Sequence, residues 1–149
     1  MICPLCEKSA VGASDPNWIA DGELARVFLG DNQGCAGWCV LVLKRHVIHL
    51  DDLPVDEQAA LFAEVARVAR AIRAVFPTSG TGGGSPRINY ECLGNQVGHI
   101  HWHVIPRHAD DPDLLNAVWG WPAERLKGSM DGPARAGLIA RLKEALGAI

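Results

Sequence analysis

Between Pro54 and Phe76 the apolar residues Leu61, Val65, Val68, Ala69, Ile72 and Val75 recur at steps of three and four, with Glu64, Arg67, Arg70 and Arg73 between them. That period predicts one long amphipathic helix with a single face against a core. Pro54 suits its first turn, Asp56 and Glu57 follow just inside, and Pro77 stops it. The remaining apolar runs are short. Trp18 to Ala20 and Leu24 to Leu29 flank Asp21-Gly22, a hairpin signal. Trp38 to Leu43 reads as a buried strand ending in Lys44, Arg45 and His46. Arg87 to Leu93 and His99 to Pro106 predict two more strands, joined by the turn residues Gly94, Asn95 and Gln96. Ala109 to Gly132 has little periodicity and predicts a loop folded over the surface, after which Ala134 to Leu146 predicts a terminal helix. The glycine-rich stretch Thr78 to Pro86 predicts a plain connection: a phosphate-binding Walker loop needs Lys then Ser or Thr at a helix start, and here Ser85-Pro86 leads into a strand.

Length and composition narrow the class. With 149 residues, 48% hydrophobic and 21% charged, the chain predicts one compact domain spanning residues 1–149. Its longest run of bulky apolar residues is far short of a membrane span, and MICPLCEK is not a secretory leader, so a cytoplasmic protein without a membrane partner is expected. Five cysteines, an odd number, point to reduced thiols or thiolate ligands rather than disulfides. Fourteen basic and seventeen acidic residues leave a formal charge of −3 with no block of either sign, which argues against a nucleic-acid partner. A phosphate-bearing substrate would have to be held by a few placed donors.

Candidate chemistry lies in HIHWHVI, where His99, His101 and His103 alternate with Ile100, Trp102 and Val104. On a strand the three rings would share one face and the apolar residues the other. Massing three imidazoles that repel when protonated is hard to explain as a plain solvated face. Two active readings follow from the residues. Neighbouring histidines can share a zinc ion. Alternatively, a neutral imidazole at the centre of the row can attack phosphorus while its neighbours hold the oxygens.

HIHWHVI matches the H-φ-H-φ-H-φ-φ signature of the histidine-triad (HIT) superfamily of nucleotide hydrolases and transferases, φ being apolar. With LVLKRHVIHLDDL upstream and INYECLGN between, the chain resembles the bacterial branch described as diadenosine polyphosphate hydrolases, from Cys3 to about Lys127. The resemblance implies an α+β fold: a bent antiparallel sheet of about five strands, one long helix and a C-terminal helix, assembled as a homodimer. It implies that His101 is the nucleophile at the α-phosphorus of a dinucleoside polyphosphate or adenylyl compound, passing through a covalent nucleotidyl-histidine, and that His103 binds phosphate oxygens and stabilises charge. Gln96 and Asn89 would bind the phosphate region, and Asp31 and Asn32 the ribose, although Asp-Asn in a turn is also an ordinary turn.

Cys3-Pro-Leu-Cys6 has the C-x2-C spacing that presents two thiolates to a metal. In relatives with this pair, the resemblance implies a structural zinc completed by His46 and His99, with His49 as a rival to His46 and a metal-free reduced pair as the plain alternative. Cys35, Cys39 and Cys92 read as small apolar residues. Gly98 and Cys35-Ala36-Gly37 stand where this branch often has prolines, beside the expected pocket. Trp119 and Trp121 read equally as base-stacking residues or as aromatic packing. Two further readings stay open: a zinc-stabilised nucleotide-binding module with little catalysis, and a zinc hydrolase using all three triad histidines.

Overall fold

A computed structural model of the chain describes residues 2–79 and 84–148; the middle of the glycine-rich connection, residues 80–83, lies outside them. Five strands, β1 (Trp18–Asp21), β2 (Ala25–Leu29), β3 (Cys39–Leu43), β4 (Arg87–Glu91) and β5 (His101–Arg107), form one antiparallel sheet in the order β1-β2-β3-β5-β4. The helices are α1 (Pro4–Val11), α2 (Val55–Val75), α3 (Ala123–Lys127) and α4 (Gly132–Gly147). This is the α+β architecture expected, with the long helix and the terminal helix in place.

Period-two alternation divides the sheet. Ala25, Val27 and Leu29 of β2, Cys39, Leu41 and Leu43 of β3, and Trp102 and Val104 of β5 are buried in one core with the apolar faces of α2 and α4. Leu61, Val65, Val68 and Ile72 of α2 meet Leu138, Ile139, Leu142 and Leu146 of α4 in that core. The opposite face carries Val40, Val42, His101 and His103, with Val40 opposite His103 and Val42 opposite His101 across the β3–β5 pair. Here a smaller cluster of Cys35, Trp38, Ile105, Val118 and Trp121 is buried. No helix among the described residues is long and apolar enough to cross a membrane.

Several boundaries differ from the sequence reading for local reasons. The first hairpin turns through Gly22, Glu23 and Leu24, because Glu64 of α2 accepts the backbone N–H groups of Leu24 and Ala25 at 2.8 and 3.0 Å. Strand β5 begins at His101, so His99 and Ile100 precede it. The predicted surface loop contains α3 and a single tight turn at Val118–Gly120. Helix α1 was not foreseen; only Ser9 in it is fully buried, too little for an amphipathic signal.

Candidate active site and metal-ligand cluster

Two groups of side chains meet at the start of β5. In the first, the ligand atoms of Cys3, Cys6, His46 and His99 all lie within 4.8 Å of one another. His49 is not among them. Cys3 precedes α1 and Cys6 sits in its first turn, His46 follows β3, and His99 follows the tight turn in which its N–H meets the Val97 carbonyl. The His99 ring is buried, and its Nε2–H donates to the Leu43 carbonyl at 2.8 Å. That bond leaves Nδ1 with its lone pair, aimed at the two sulfurs, the kind of outer contact that orients a metal-binding imidazole. Burial, first of all, holds the His99 imidazole below its ordinary pKa and so in the neutral, ligating form.

The spacing can be tested against a tetrahedral ion. Zinc bonds of about 2.0 Å to nitrogen and about 2.3 Å to sulfur put two nitrogens about 3.3 Å apart, and nitrogen and sulfur about 3.5 Å apart. The His46 and His99 Nδ1 atoms are 3.3 Å apart, Cys6 Sγ is 3.4 Å from each of them, and Cys3 Sγ is 3.5 Å from His99 Nδ1. The residues therefore fit a four-coordinate zinc.

The second group is the pair His101 and His103, whose ring centroids are 5.1 Å apart. The expected row of three is a pair: His99 turns into the Cys/His cluster instead of standing in the strand. Each remaining ring has one nitrogen committed. His101 Nδ1–H donates to the His99 carbonyl at 2.7 Å, so its Nε2 keeps the lone pair. Trp38 Nε1–H donates to His103 Nδ1 at 3.1 Å. An indole N–H can only donate, so His103 carries its proton on Nε2. Burial, then the neighbouring His101, push the His103 pKa down to about 4, and the ring is neutral at neutral pH. One imidazole thus presents a nucleophilic lone pair and its neighbour an N–H donor.

Both rings open into a cleft of about 210 Å³ walled by Leu5 and Lys8 of α1, Phe28, Gly30 to Asn32, Val40 and Val97. Gln33 shapes the turn that carries Asp31 and Asn32: its amide donates to the Gly30 and Trp38 carbonyls, both at 2.9 Å, and accepts from Gly37 N–H at 2.9 Å. Gly37, with φ +97°, has no room for a side chain, since a Cβ would lie 2.6 Å from the Phe76 ring. A larger hollow, of about 410 Å³, lies beside His108 and Trp121 and includes neither His101 nor His103.

Of the other residues singled out in the sequence, Asp31 and Asn32 line the cleft. Asn89, opposite Ile105, shares the face of His103, but its side-chain oxygen accepts from Arg107 at 3.1 Å. Gln96 is exposed in the β4–β5 loop beside the cleft-lining Val97. Trp121 packs between Arg107 and Arg125, while Trp119 stands against His103 and Trp38, so in this structure both tryptophans have aromatic or cationic neighbours from the chain itself. Cys35 and Cys39 are buried and Cys92 is exposed. Trp38, Leu5, Lys8 and Phe28 escaped the sequence reading; the signal for Trp38 is that it shares the period-two face of Val40 and Val42, which points to the site only once β3 is known to pair with β5.

The sheet face opposite the main core of this α+β domain thus brings two imidazoles of fixed tautomer to one cleft. The HIT domain family model matches residues 12–110, and the chain belongs to that family, whose members are in general nucleotide-binding hydrolases and transferases. It is 29% identical over 109 residues to Protein hit of Bacillus subtilis, covering 73% of each chain. A histidine triad protein from Bradyrhizobium japonicum superposes with a TM-score of 0.71 at 26% identity, covering 87% of this chain and 91% of that one. A Zn-bound histidine triad family protein from Mycobacterium smegmatis does so with a TM-score of 0.65 at 26% identity, covering 98% and 94%.

Proposed function

We propose that this protein cleaves a dinucleoside polyphosphate or a related adenylyl compound through a covalent nucleotidyl-histidine, as a diadenosine polyphosphate hydrolase-like member of its family. The observation that carries the reading is the bond from His101 Nδ1–H to the His99 carbonyl, which leaves the lone pair on Nε2 of a ring that lines the cleft, beside a ring whose proton is on Nε2. In the first step that lone pair forms a bond to the α-phosphorus, and the bond from phosphorus to the bridging oxygen breaks, its electron pair leaving with the departing phosphate group. His103 Nε2–H donates to a phosphate oxygen as charge develops. The cationic nucleotidyl-imidazole keeps its Nδ1–H on the His99 carbonyl. In the second step water bonds to phosphorus, releases a proton to solvent, and the phosphorus–nitrogen pair returns to Nε2.

Asp31 and Asn32 serve the ribose in this reading, with Gln96 and Asn89 assigned to the phosphate side. Asn89 would exchange its bond to Arg107 for one to substrate. Cys3, Cys6, His46 and His99 hold a structural zinc. That ion would supply a cross-link and no step of the reaction. We further infer a cytoplasmic homodimer acting as a single domain on a small-molecule nucleotide, without nucleic-acid or membrane partners; five free cysteines suit a reducing compartment.

Purified protein mixed with diadenosine tetraphosphate is expected to release mononucleotide, and His101→Ala to lower turnover by about a thousandfold or more with melting unchanged. Retained turnover in that variant refutes the nucleophile. Nucleotide binding without products from the unaltered protein selects the binding-module reading instead.

A further inference from the structure

The segment after β5 is tied down by one buried arginine. Arg107 Nε donates to Asp111 at 2.7 Å, Nη1 to the Asn116 carbonyl at 2.8 Å and to Asn89 at 3.1 Å, and Nη2 to the Asp113 carbonyl at 2.6 Å. Trp121 adds a second tie: its Nε1–H donates to Asp113 at 3.0 Å, and the Arg125 guanidinium lies 3.5 Å from its ring centroid. The strap so formed brings Trp119 edge-on to His103, with ring centroids 4.9 Å apart, and to Trp38 at 5.3 Å. Its indole N–H donates to the Glu91 carboxylate. Glu91 is the residue directly opposite His103 across β4 and β5, at the range where cross-strand side chains touch. Trp119 remains 39% exposed, an unusual state for an indole that merely fills a core.

We propose that Trp119 is a positioning residue for the phosphate chemistry: it walls His103 and holds the Glu91 carboxylate away from it, so that His103 meets the phosphate as a neutral Nε2–H donor. The proposal rests on His103 serving the reaction described above. The groups around His103 are His101 on its own strand, Glu91 from β4, Val40 from β3, Trp38 from the turn before β3, and Trp119 from the strap. Lys8 shares the cleft from α1, its Nζ paired with Asp15 at 2.8 Å. Asp31 also lines the cleft, from the turn after β2, but Glu91 is the anion paired with His103 across the sheet, and the indole N–H is what occupies it. A freed carboxylate would accept from His103 Nε2–H, taking the donor away from substrate and favouring the imidazolium.

The test is a titration of the His103 ring nitrogens by NMR, without substrate, in the unaltered protein, Trp119→Phe, Glu91→Gln and the double variant, followed by pH profiles of turnover. Trp119→Phe keeps a ring but loses the N–H. It is expected to raise the His103 pKa by about one unit or more, as a nearby opposite charge does, and to lower kcat about tenfold with KM little changed. Glu91→Gln alone should leave the titration near its original position, and Trp119→Phe/Glu91→Gln should return it there. An unchanged titration in Trp119→Phe overturns the proposal, and so does a raised one that persists in the double variant. Because the titration is read without turnover, failure of His101 as nucleophile leaves this outcome separately readable.

Discussion

At the scale of single residues, the site works by removing choices of tautomer. A carbonyl that can only accept takes the proton of His101 Nδ1, and an indole that can only donate meets His103 Nδ1, so two chemically identical side chains two positions apart present opposite functions. The burial that keeps His103 neutral also has a thermodynamic sign. With a folded-state pKa of about 4 against 6.5 in the open chain, the unfolded state binds more protons between those values, so stability is complete above pH 6.5 and is lost as pH falls toward 4. The whole shift corresponds to about 3 kcal/mol. Denaturant melts between pH 7 and pH 4 should therefore lose about 3 kcal/mol more in the unaltered protein than in His103→Gln; equal losses would contradict the buried neutral ring. The HIHWHVI pattern made these histidines conspicuous in the sequence, but their partners were hidden. The His99 carbonyl is marked by no residue pattern, because a main-chain acceptor has no side-chain signature, and the period-two face of Trp38 points to the site only once β3, which Trp38 precedes, is known to pair with β5.

At the scale of elements, α1 shows how much of the cleft depends on the Cys/His cluster. An eight-residue helix does not hold itself together in water. This one is tied through Cys3 and Cys6 to the ends of other elements, and the same short helix contributes Leu5 and Lys8 to the cleft wall. Metal analysis is expected to find one zinc per chain, and Cys3→Ser/Cys6→Ser to lose it. Chelation should lower the melting temperature by about 10 °C, accelerate amide exchange in α1 and weaken nucleotide binding. Zinc that persists in the double variant would instead favour coordination by the triad histidines. Helix α2 was legible because its long apolar face repeats at helical spacing. Helix α1 was not, because its ties to the rest of the fold run through single polar groups, such as Cys6, Lys8 and the Ser9 carbonyl, rather than through an apolar stripe. The same distinction explains His99: alternation alone places it in a strand with His101, whereas its ring is drawn to the two sulfurs and β5 starts two residues later.

At the scale of the whole molecule, the family match covers residues 12–110, and the parts beyond it supply α1, the strap and α4. Helix α4 completes the core over α2, with Leu142 1% exposed. Leu142→Ala should cost about 2 to 5 kcal/mol in urea unfolding, the range for emptying a buried leucine; a change below that range would show α4 to be an ornament on the core. The helix also reaches the cleft: Arg135 donates to the Gly30 carbonyl at 3.1 Å and the Asp31 carbonyl at 3.3 Å, bracing the turn that lines it. Strand positions and the two long helices could be read from periodicity, since each is a local pattern. The order in which strands pair, and the return of a sparsely patterned segment over the sheet, depend on contacts between residues far apart in the chain.

Arg107 finally gives that segment an unusual freedom. Two of its anchors, at Asp113 and Asn116, are peptide oxygens, which every amino acid supplies alike. At those two points, unlike at Asp111 and Asn89, its guanidinium reads the course of the chain rather than the letters along it, so Leu114 and Leu115 can be rewritten with little effect on where the indole beyond them comes to rest, while replacing that one arginine would let the whole path drift.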